Sequence, residues 1–432
     1  MKKLFLILFI NIAYVNAQPT GLTVEKSLAI GLNSSYEIQL ANSDTLISEA
    51  NVTNAWSNML PKITLGANYN HLSELPIQFN LPIPSSGNSD ALTLLYANAE
   101  IEQPLFTGFR LLSLKNASQY NNEASLLEYS RVKNNKALEI QQSFWIYYKT
   151  EKFIEIINEN LIVIKSQIIN VKSFLNAGLA TRSDLLKLKV IEADVKSKLI
   201  DATHQSKIAQ ANFNRVIGYS IDSDTKIFAP SYVEELSKQE FSIVLNEAMN
   251  SRLELEANNF RIKAADEIIT AAKSTWFPQI SAFGSYNYLK VEGGSLLSEG
   301  ANNFWMVGLG MKWNVWDWWK TSSNATIAEE QHFQIEVASI ILKERIEIEV
   351  YSNFLNLESE ASKIELNQLR MESAVENFRI INNKFNEEFA TSTELTEAST
   401  MLTEAKITLM TSYINYKLAR IKLDNSIGRK IY

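Results

Sequence analysis

The chain has 432 residues, 46% of them hydrophobic, a formal net charge of −7 and no cysteine. Its length allows two or three ordinary domains or one elongated one. The acidic balance argues against nucleic acid as a partner, and without cysteine neither a disulfide framework nor a lipid anchor on an N-terminal cysteine can form.

The first stretch, MKKLFLILFINIAYVNAQ, has a basic start (Lys2, Lys3), an apolar run (Leu4 to Tyr14) and a small-residue stop at Ala17. This order predicts a secretory signal peptide over 1–17, with the mature chain starting near Gln18. Loss of Lys2 and Lys3 takes the net charge from −7 to about −9. No later run of 18 apolar residues occurs, so no transmembrane helix is expected and membrane entry would have to use strands.

The first repeat is expected over 18–218. A strand is predicted at about 61–72, where Ile63, Leu65, Ala67 and Tyr69 oppose Thr64, Gly66, Asn68 and Asn70. A second is predicted at about 93–106, where Leu95, Ala97, Ala99 and Ile101 oppose Tyr96, Asn98, Glu100 and Glu102. From about 107 to 218 no glycine or proline falls between Gly108 and Gly178 or between Gly178 and Gly218, and the composition is that of helix. A helical hairpin is expected there, turning at NAGLATRSD (176–184). Leu188, Ile191, Val195, Leu199, Ala202, Ser206, Ala209, Phe213 and Val216 step by about 3.5 residues, the coiled-coil period. A helix of about 65 residues would reach ~100 Å, so such hairpins need neighbours side by side.

The pattern then recurs. AWSNMLPKITLGANYNHL (55–72) aligns with AKSTWFPQISAFGSYNYL (272–289) at an offset of 217. Past the second strand the offset is 210, pairing Ala180-Thr181 with Ala390-Thr391 and Ile217-Gly218 with Ile427-Gly428. A second repeat is expected over 239–428. Its strands are predicted at about 278–290 (Ile280, Ala282, Gly284, Tyr286 and Tyr288 on one face) and about 303–316. In the latter, Trp305, Val307, Leu309, Met311, Trp313 and Val315 oppose Met306, Gly308, Gly310, Lys312 and Asn314. The helical hairpin follows over about 317–428, turning at NEEFATSTE (386–394).

A half-buried soluble sheet would show the same alternation. Three features favour a membrane: the strands are long enough to cross a bilayer tilted, Trp305 and Trp313 lie ~26 Å apart at ~3.3 Å per residue, close to the spacing of two aromatic girdles, and the signal peptide exports the chain. Four strands cannot close a barrel, and open edges are not tolerated in lipid. Several copies would share one barrel, as a cyclic homo-oligomer with head-to-tail interfaces. A structural or adhesive coiled-coil envelope protein without a lumen is the alternative; it would want strongly apolar seams and no lipid-facing strands.

Several features together resemble the TolC-like outer membrane efflux proteins over essentially the whole mature chain. They are the duplicated layout, Leu60-Pro61-Lys62-Ile63 and Phe277-Pro278-Gln279-Ile280 ahead of the strands, QPLFTGFR (103–110), GLATRSDLL (178–186) and the Ile-Gly end of each copy. The resemblance implies an internally duplicated α+β membrane protein. Three chains would form one 12-stranded transmembrane β-barrel in the outer membrane, continued by a periplasmic α-helical barrel. A mixed segment at about 219–252, overlapping the start of the second repeat, would belt that barrel. It also implies, as partners, a periplasmic adaptor (membrane fusion) protein and an inner-membrane transporter, in a tripartite efflux or type I secretion system.

In the family, acidic residues near the periplasmic tip constrict the duct. The matching positions are Glu394 and Glu397, three apart on one helix face, with Asp184 equivalent to Glu394 and Lys187 standing where a second acid would be. A carboxylate favoured at a helix start by the dipole is the plainer account of each. The family's basic gate partner corresponds to Ala390, with Arg182 and Lys384 the nearest bases. Where many members carry an aromatic, Asp and two glycines, this chain reads Trp316-Asp317-Trp318-Trp319. Trp305, Trp313, Trp318 and Trp319 are expected at the membrane boundary, the last two opening the long helix and rivalled by a packing role, and Trp316 facing inward. No catalytic motif, cofactor loop or local His/Cys metal cluster is present, so a non-enzymatic role is expected.

Overall fold

The computed structural model describes residues 21–73, 92–229, 240–292 and 300–432. The expected signal peptide lies outside these residues, as does 230–239 of the expected middle segment. The elements in chain order are α1 (Val24–Ser34), α2 (Tyr36–Ser57), β1 (Lys62–Leu72), β2 (Leu92–Phe106), α3 (Arg110–Asn176) and α4 (Arg182–Ile217). Then come α5 (Phe241–Ser251), α6 (Leu253–Lys273), a 3-10 turn (Ser274–Trp276), β3 (Gln279–Glu292), β4 (Gly300–Lys312), α7 (Lys320–Asn386) and α8 (Ser392–Ser426). α1 and α5 start 217 residues apart, and α3 and α7 start 210 apart, the two offsets seen in the sequence.

The helix pair that opens each copy was not expected from the sequence. For α2 the reason is that it exposes Leu40, Leu46, Ile47 and Trp56. Apolar residues scattered around a helix leave no single stripe for a periodicity argument to find. In the expected middle segment, the C-terminal part is α5, while Ile227 makes an isolated parallel bridge to Leu22.

Two compact units are present, and each draws on both copies: one holds residues up to Leu40, Ser130–Arg252 and Glu344–Tyr432, the other Ala41–Tyr129 and Leu253–Lys343. The copies are therefore not independent folding domains.

In the second of these units the strands form one antiparallel sheet in the order β1-β2-β3-β4. Register places Ile63 opposite Ile101, Ile101 opposite Gly284, and Gly284 opposite Val307. The next row on that face is Leu65, Ala99, Tyr286 and Trp305. The other face carries rows such as Thr64, Glu100, Ser285 and Met306, and there the Tyr96 hydroxyl donates to Asn287 Oδ1 at 2.6 Å. One face is thus mainly apolar and the other mainly polar, as period-two alternation demands.

Two sequence expectations are corrected here. β4 ends at Lys312, where it still pairs with Gln279, rather than near 316. Beyond that point β3 has ended, and a strand needs a partner on at least one side to satisfy its backbone. Trp318 and Trp319 do not begin the long helix, which starts at Lys320. They occupy left-handed backbone, φ 55° and 66°, matching Gly108 and Phe109 at φ 61° and 68°. Two left-handed residues turn each copy from strand into helix.

The other unit holds the hairpin turns. Leu188, Val195, Ala202, Ser206, Ala209, Phe213 and Val216 of α4 are buried, while α8 buries Leu395, Ala398, Ser399, Ala405 and Ser412. Ile157, Leu161 and Ile164 of α3 pack with Val195 and Ala202. Small seam residues let backbones approach closely, and their hydroxyls find partners: Ser206 donates to Glu151, and Ser412 accepts from Asn367 Nδ2 at 2.7 Å. A further cluster centres on Phe144, whose ring meets Trp145 and Phe213 edge to face at 5.5 and 5.8 Å.

Candidate functional site

At the hairpin turns, α3 and α7 end in the same motif. Leu179 N–H reaches back to the Phe174 carbonyl at 2.8 Å, and Phe389 N–H to the Lys384 carbonyl at 2.7 Å. This six-to-one bond needs left-handed backbone at the preceding residue, normally glycine. The first turn has Gly178 there, φ 77°; the second has Glu388, φ 67°. Glu388 stands 210 residues after Gly178, but its residue type does not mark the position, since a side chain disfavours that backbone.

The returning helices start with reciprocal caps. Thr181 N–H donates to Asp184 Oδ2 at 3.1 Å, and Asp184 N–H donates to Thr181 Oγ1 at 3.2 Å. Thr391 N–H donates to Glu394 Oε2 at 2.8 Å, with Glu394 N–H returning to Thr391 Oγ1 at 3.2 Å. Asp184 and Glu394 are therefore N3 residues of capping boxes. The Thr391 backbone N–H first, then its hydroxyl, hold the Glu394 carboxyl below its ordinary pKa, and Lys384 adds to the effect. For Asp184 the Thr181 hydroxyl leads, followed by the Thr181 N–H, with Lys187 contributing. Glu397 is exposed on α8 one turn further on.

The structure brings the two turns together. Val171, Leu188, Phe385 and Leu395 form one buried cluster, Phe174 and Phe385 meet at 5.6 Å, and Ser392 Oγ lies 3.4 Å from Asp184 Oδ1. A groove of about 380 Å³ lies between the turns, with Asp184, Phe385, Phe389 and Ser392 in its walls. The second turn carries two acids, Glu394 and Glu397, with Lys384 near the first; in the first turn Lys187 stands close to Asp184.

On the sheet, Trp305 projects from the apolar face opposite Tyr286 and is 72% exposed. Trp313 is also exposed, yet its indole N–H donates to the Trp276 carbonyl at 3.2 Å. Trp316, Trp318 and Trp319 stack edge to face on one another, with centroids 5.7, 5.8 and 6.4 Å apart. Between them, Asp317 caps α7: its carboxylate accepts the Thr321 N–H at 2.9 Å and the Thr321 hydroxyl, which lowers its pKa. Among the described residues no group of three or more His, Cys, Asp or Glu side chains could hold a metal ion, and no helix is long and apolar enough to cross a membrane.

A family model described as outer membrane efflux protein matches this chain twice, at residues 32–219 and 244–429. The chain belongs to the outer membrane efflux protein family. It is similar to the outer membrane efflux protein BepC of Brucella suis biovar 1 (strain 1330), 19% identical over 414 residues, which covers 94% of this chain and 85% of BepC. Its fold is similar to that of the outer membrane protein VceC of Vibrio cholerae (TM-score 0.79, 14% identity, 95% of this chain and 97% of that one). It is equally similar to the CmeC outer membrane channel of Campylobacter jejuni (TM-score 0.80, 12% identity, 94% and 85%). The fold is that of the TolC-like channels, and the chain resides in the outer membrane with its helical part in the periplasm.

Proposed function

We propose that this chain is the exit duct of a tripartite efflux or type I secretion system. Three copies close one 12-stranded barrel, continued by a helical barrel through the periplasm. The observation that carries this reading is the sheet: among the described residues, four strands with an exposed apolar face, β1 and β4 unpaired on their outer sides, in a chain of this family. Leu65 is 80% and Leu309 74% exposed, on strands whose free edges lipid would not tolerate. Closure by further copies satisfies both the apolar face and the edges. A lumenless coiled coil accounts for neither.

In this duct Trp305 and Trp313 mark the two lipid boundaries, ~26 Å apart at ~3.3 Å per residue. The mainly polar face, with Asn68, Asn98 and Asn287, lines the lumen. Glu394 and Glu397, with Asp184, form the acidic ring at the periplasmic tip and favour cations there. A periplasmic adaptor docks on the helices, and an inner-membrane transporter supplies the energy and selects the cargo. Conduction itself is passive.

Planar-bilayer recording tests the reading. Purified protein should form discrete cation-preferring channels, and Glu394→Gln with Glu397→Gln should weaken that preference. Glutamine preserves the capping box, so the change reports charge rather than unfolding of the turn. Protein that forms no channel, with or without these substitutions, would overturn the duct.

A further inference from the structure

The duplication allows one joint of the sheet unit to be compared with its counterpart. Within the chain, the corner between β2 and α3 packs on the turn that leads into β3. Phe106, Phe109 and Phe277 stack edge to face there, with centroids 5.5, 6.5 and 6.1 Å apart. Gly108 sits so close that a Cβ would lie 2.4 Å from the Ser274 carbonyl oxygen and 2.9 Å from Phe277 Cβ. The offsets of 210 and 217 carry Phe106, Gly108 and Phe109 to Trp316, Trp318 and Trp319, and carry Ser274 and Phe277 back to Ser57 and Leu60.

This correspondence holds in three dimensions. Gln103 Nε2 donates to the Met59 carbonyl at 2.9 Å, and Trp313 Nε1 donates to the Trp276 carbonyl at 3.2 Å. The donors are 210 residues apart and the acceptors 217. Different side chains make the same bond at equivalent places.

We propose that Trp316, Trp318 and Trp319 form the joint with a second copy of this chain, seated on its Trp56–Leu60 corner. The proposal rests on the shared-barrel reading above and adds which residues make the seam. Four observations support it. First, Gln103, Pro104 and Phe106 pair with β3, whereas the equivalent 313–316 lies beyond the end of β4 with no strand beside it among the described residues. Transferred by the two offsets, the internal register sets Trp313 opposite Leu65 and Trp316 opposite Ile63 of the neighbouring copy. The shift in pairing between Pro104 and Phe106, repeated there, turns Trp316 to the face of Ile63 rather than inward.

Second, the sizes exchange. Gly108 and two phenylalanines become three tryptophans on one side, while Phe277 becomes the smaller Leu60 on the other. Trp318 has a Cβ where Gly108 has none, so the seam stands further open than the internal joint, and the larger rings fill the space. Third, both surfaces are bare in the single chain: Trp318 is 75% exposed, Trp56 50% and Leu60 39%. Fourth, Trp318 and Trp319 keep the left-handed pair of Gly108 and Phe109 although neither is glycine. Lipid accepts an indole from many backbone conformations; a fixed protein joint requires one.

Because the chain lacks cysteine, the test is direct. Leu60→Cys with Trp318→Cys is oxidised in the assembled protein, beside each single variant and the internal control Phe109→Cys with Phe277→Cys. The seam predicts covalent dimers and trimers from the first pair only, since its Cβ atoms then approach disulfide range, about 3.5–4.5 Å. Trp316→Cys with Leu60→Cys, bridged by a short bismaleimide, serves if the first pair does not assemble. Trimers that form without either cross-link overturn the seam and leave the shared barrel standing. A drop in tryptophan quenching by spin-labelled lipid in the triple Trp→Phe variant, with Trp305 and Trp313 still quenched, would then make lipid the occupant of this surface. A wild-type protein that never trimerises overturns both readings.

Discussion

Replacing Glu388 with glycine should make the turn between α7 and α8 harder to open. Glu388 sits in left-handed backbone, φ 67°, and is exposed, so the dominant change is in the main chain. A residue with a Cβ costs roughly 1–2 kcal/mol in that region, and glycine returns roughly 0.5–1 kcal/mol of this through its greater freedom in the opened state. The net gain is about 0.5–1 kcal/mol, or roughly two- to fivefold slower local opening. Hydrogen exchange by mass spectrometry on peptides spanning the turn reads this through the Glu388 and Phe389 amides, bonded at 3.1 and 2.7 Å to the Phe385 and Lys384 carbonyls. The reciprocal substitution, Gly178→Glu, should speed exchange by a similar factor, because nothing lies within 4 Å of the added Cβ and only the backbone cost remains. Unchanged or faster exchange in Glu388→Gly, or the same direction in both variants, would refute the reasoning.

The tip carboxyls set a pH dependence. Glu394 and Asp184 have folded pKa values below their ordinary 4.5 and 3.8. Their contribution is thus complete above those values and is lost as pH falls from there through the depressed folded ones. Exchange protection at the two turns should stay level from neutral pH to about these values and decline only below, and a decline centred near pH 6 would contradict the capping geometry. Phe144→Ala should remove roughly 3–5 kcal/mol from the helical unit, since Phe144 is fully buried between Trp145 and Phe213; the thermal midpoint in detergent reads it. Trp313→Phe removes the donor to the Trp276 carbonyl and Gln103→Met the donor shared by the Met59 and Pro104 carbonyls, about 1 kcal/mol per donor. Both should lower the temperature of heat-modified migration to a similar extent, and a silent Trp313→Phe would show that its exposed ring, not its N–H, is what counts.

Much of this protein is legible without coordinates because its elements are long and periodic. Strand alternation from Ile63 to Tyr69 and the 3.5-residue seam from Leu188 to Val216 follow from main-chain geometry alone, and two offsets expose a duplication. The roles of Thr181 and Thr391 as caps were readable from their spacing to Asp184 and Glu394. Left-handed backbone at Glu388, Trp318 and Trp319 was not, because residue type there favours the opposite conformation and only the surrounding bonds impose it. The hydrogen bond from Trp313 to Trp276 was likewise invisible, since it joins atoms 37 residues apart in the chain. Helix α2 shows no stripe in the sequence because it distributes its apolar side chains around its surface. Sequence by itself determined the four strands, the two long hairpins, the repeat and the family, since local periodicity and offset are properties of the chain. Only the tertiary structure decided that each compact unit mixes both copies, that the hairpin turns meet at Val171, Leu188, Phe385 and Leu395, and that β4 stops at Lys312, because each of these depends on which segments are available to satisfy one another's backbone and apolar surface.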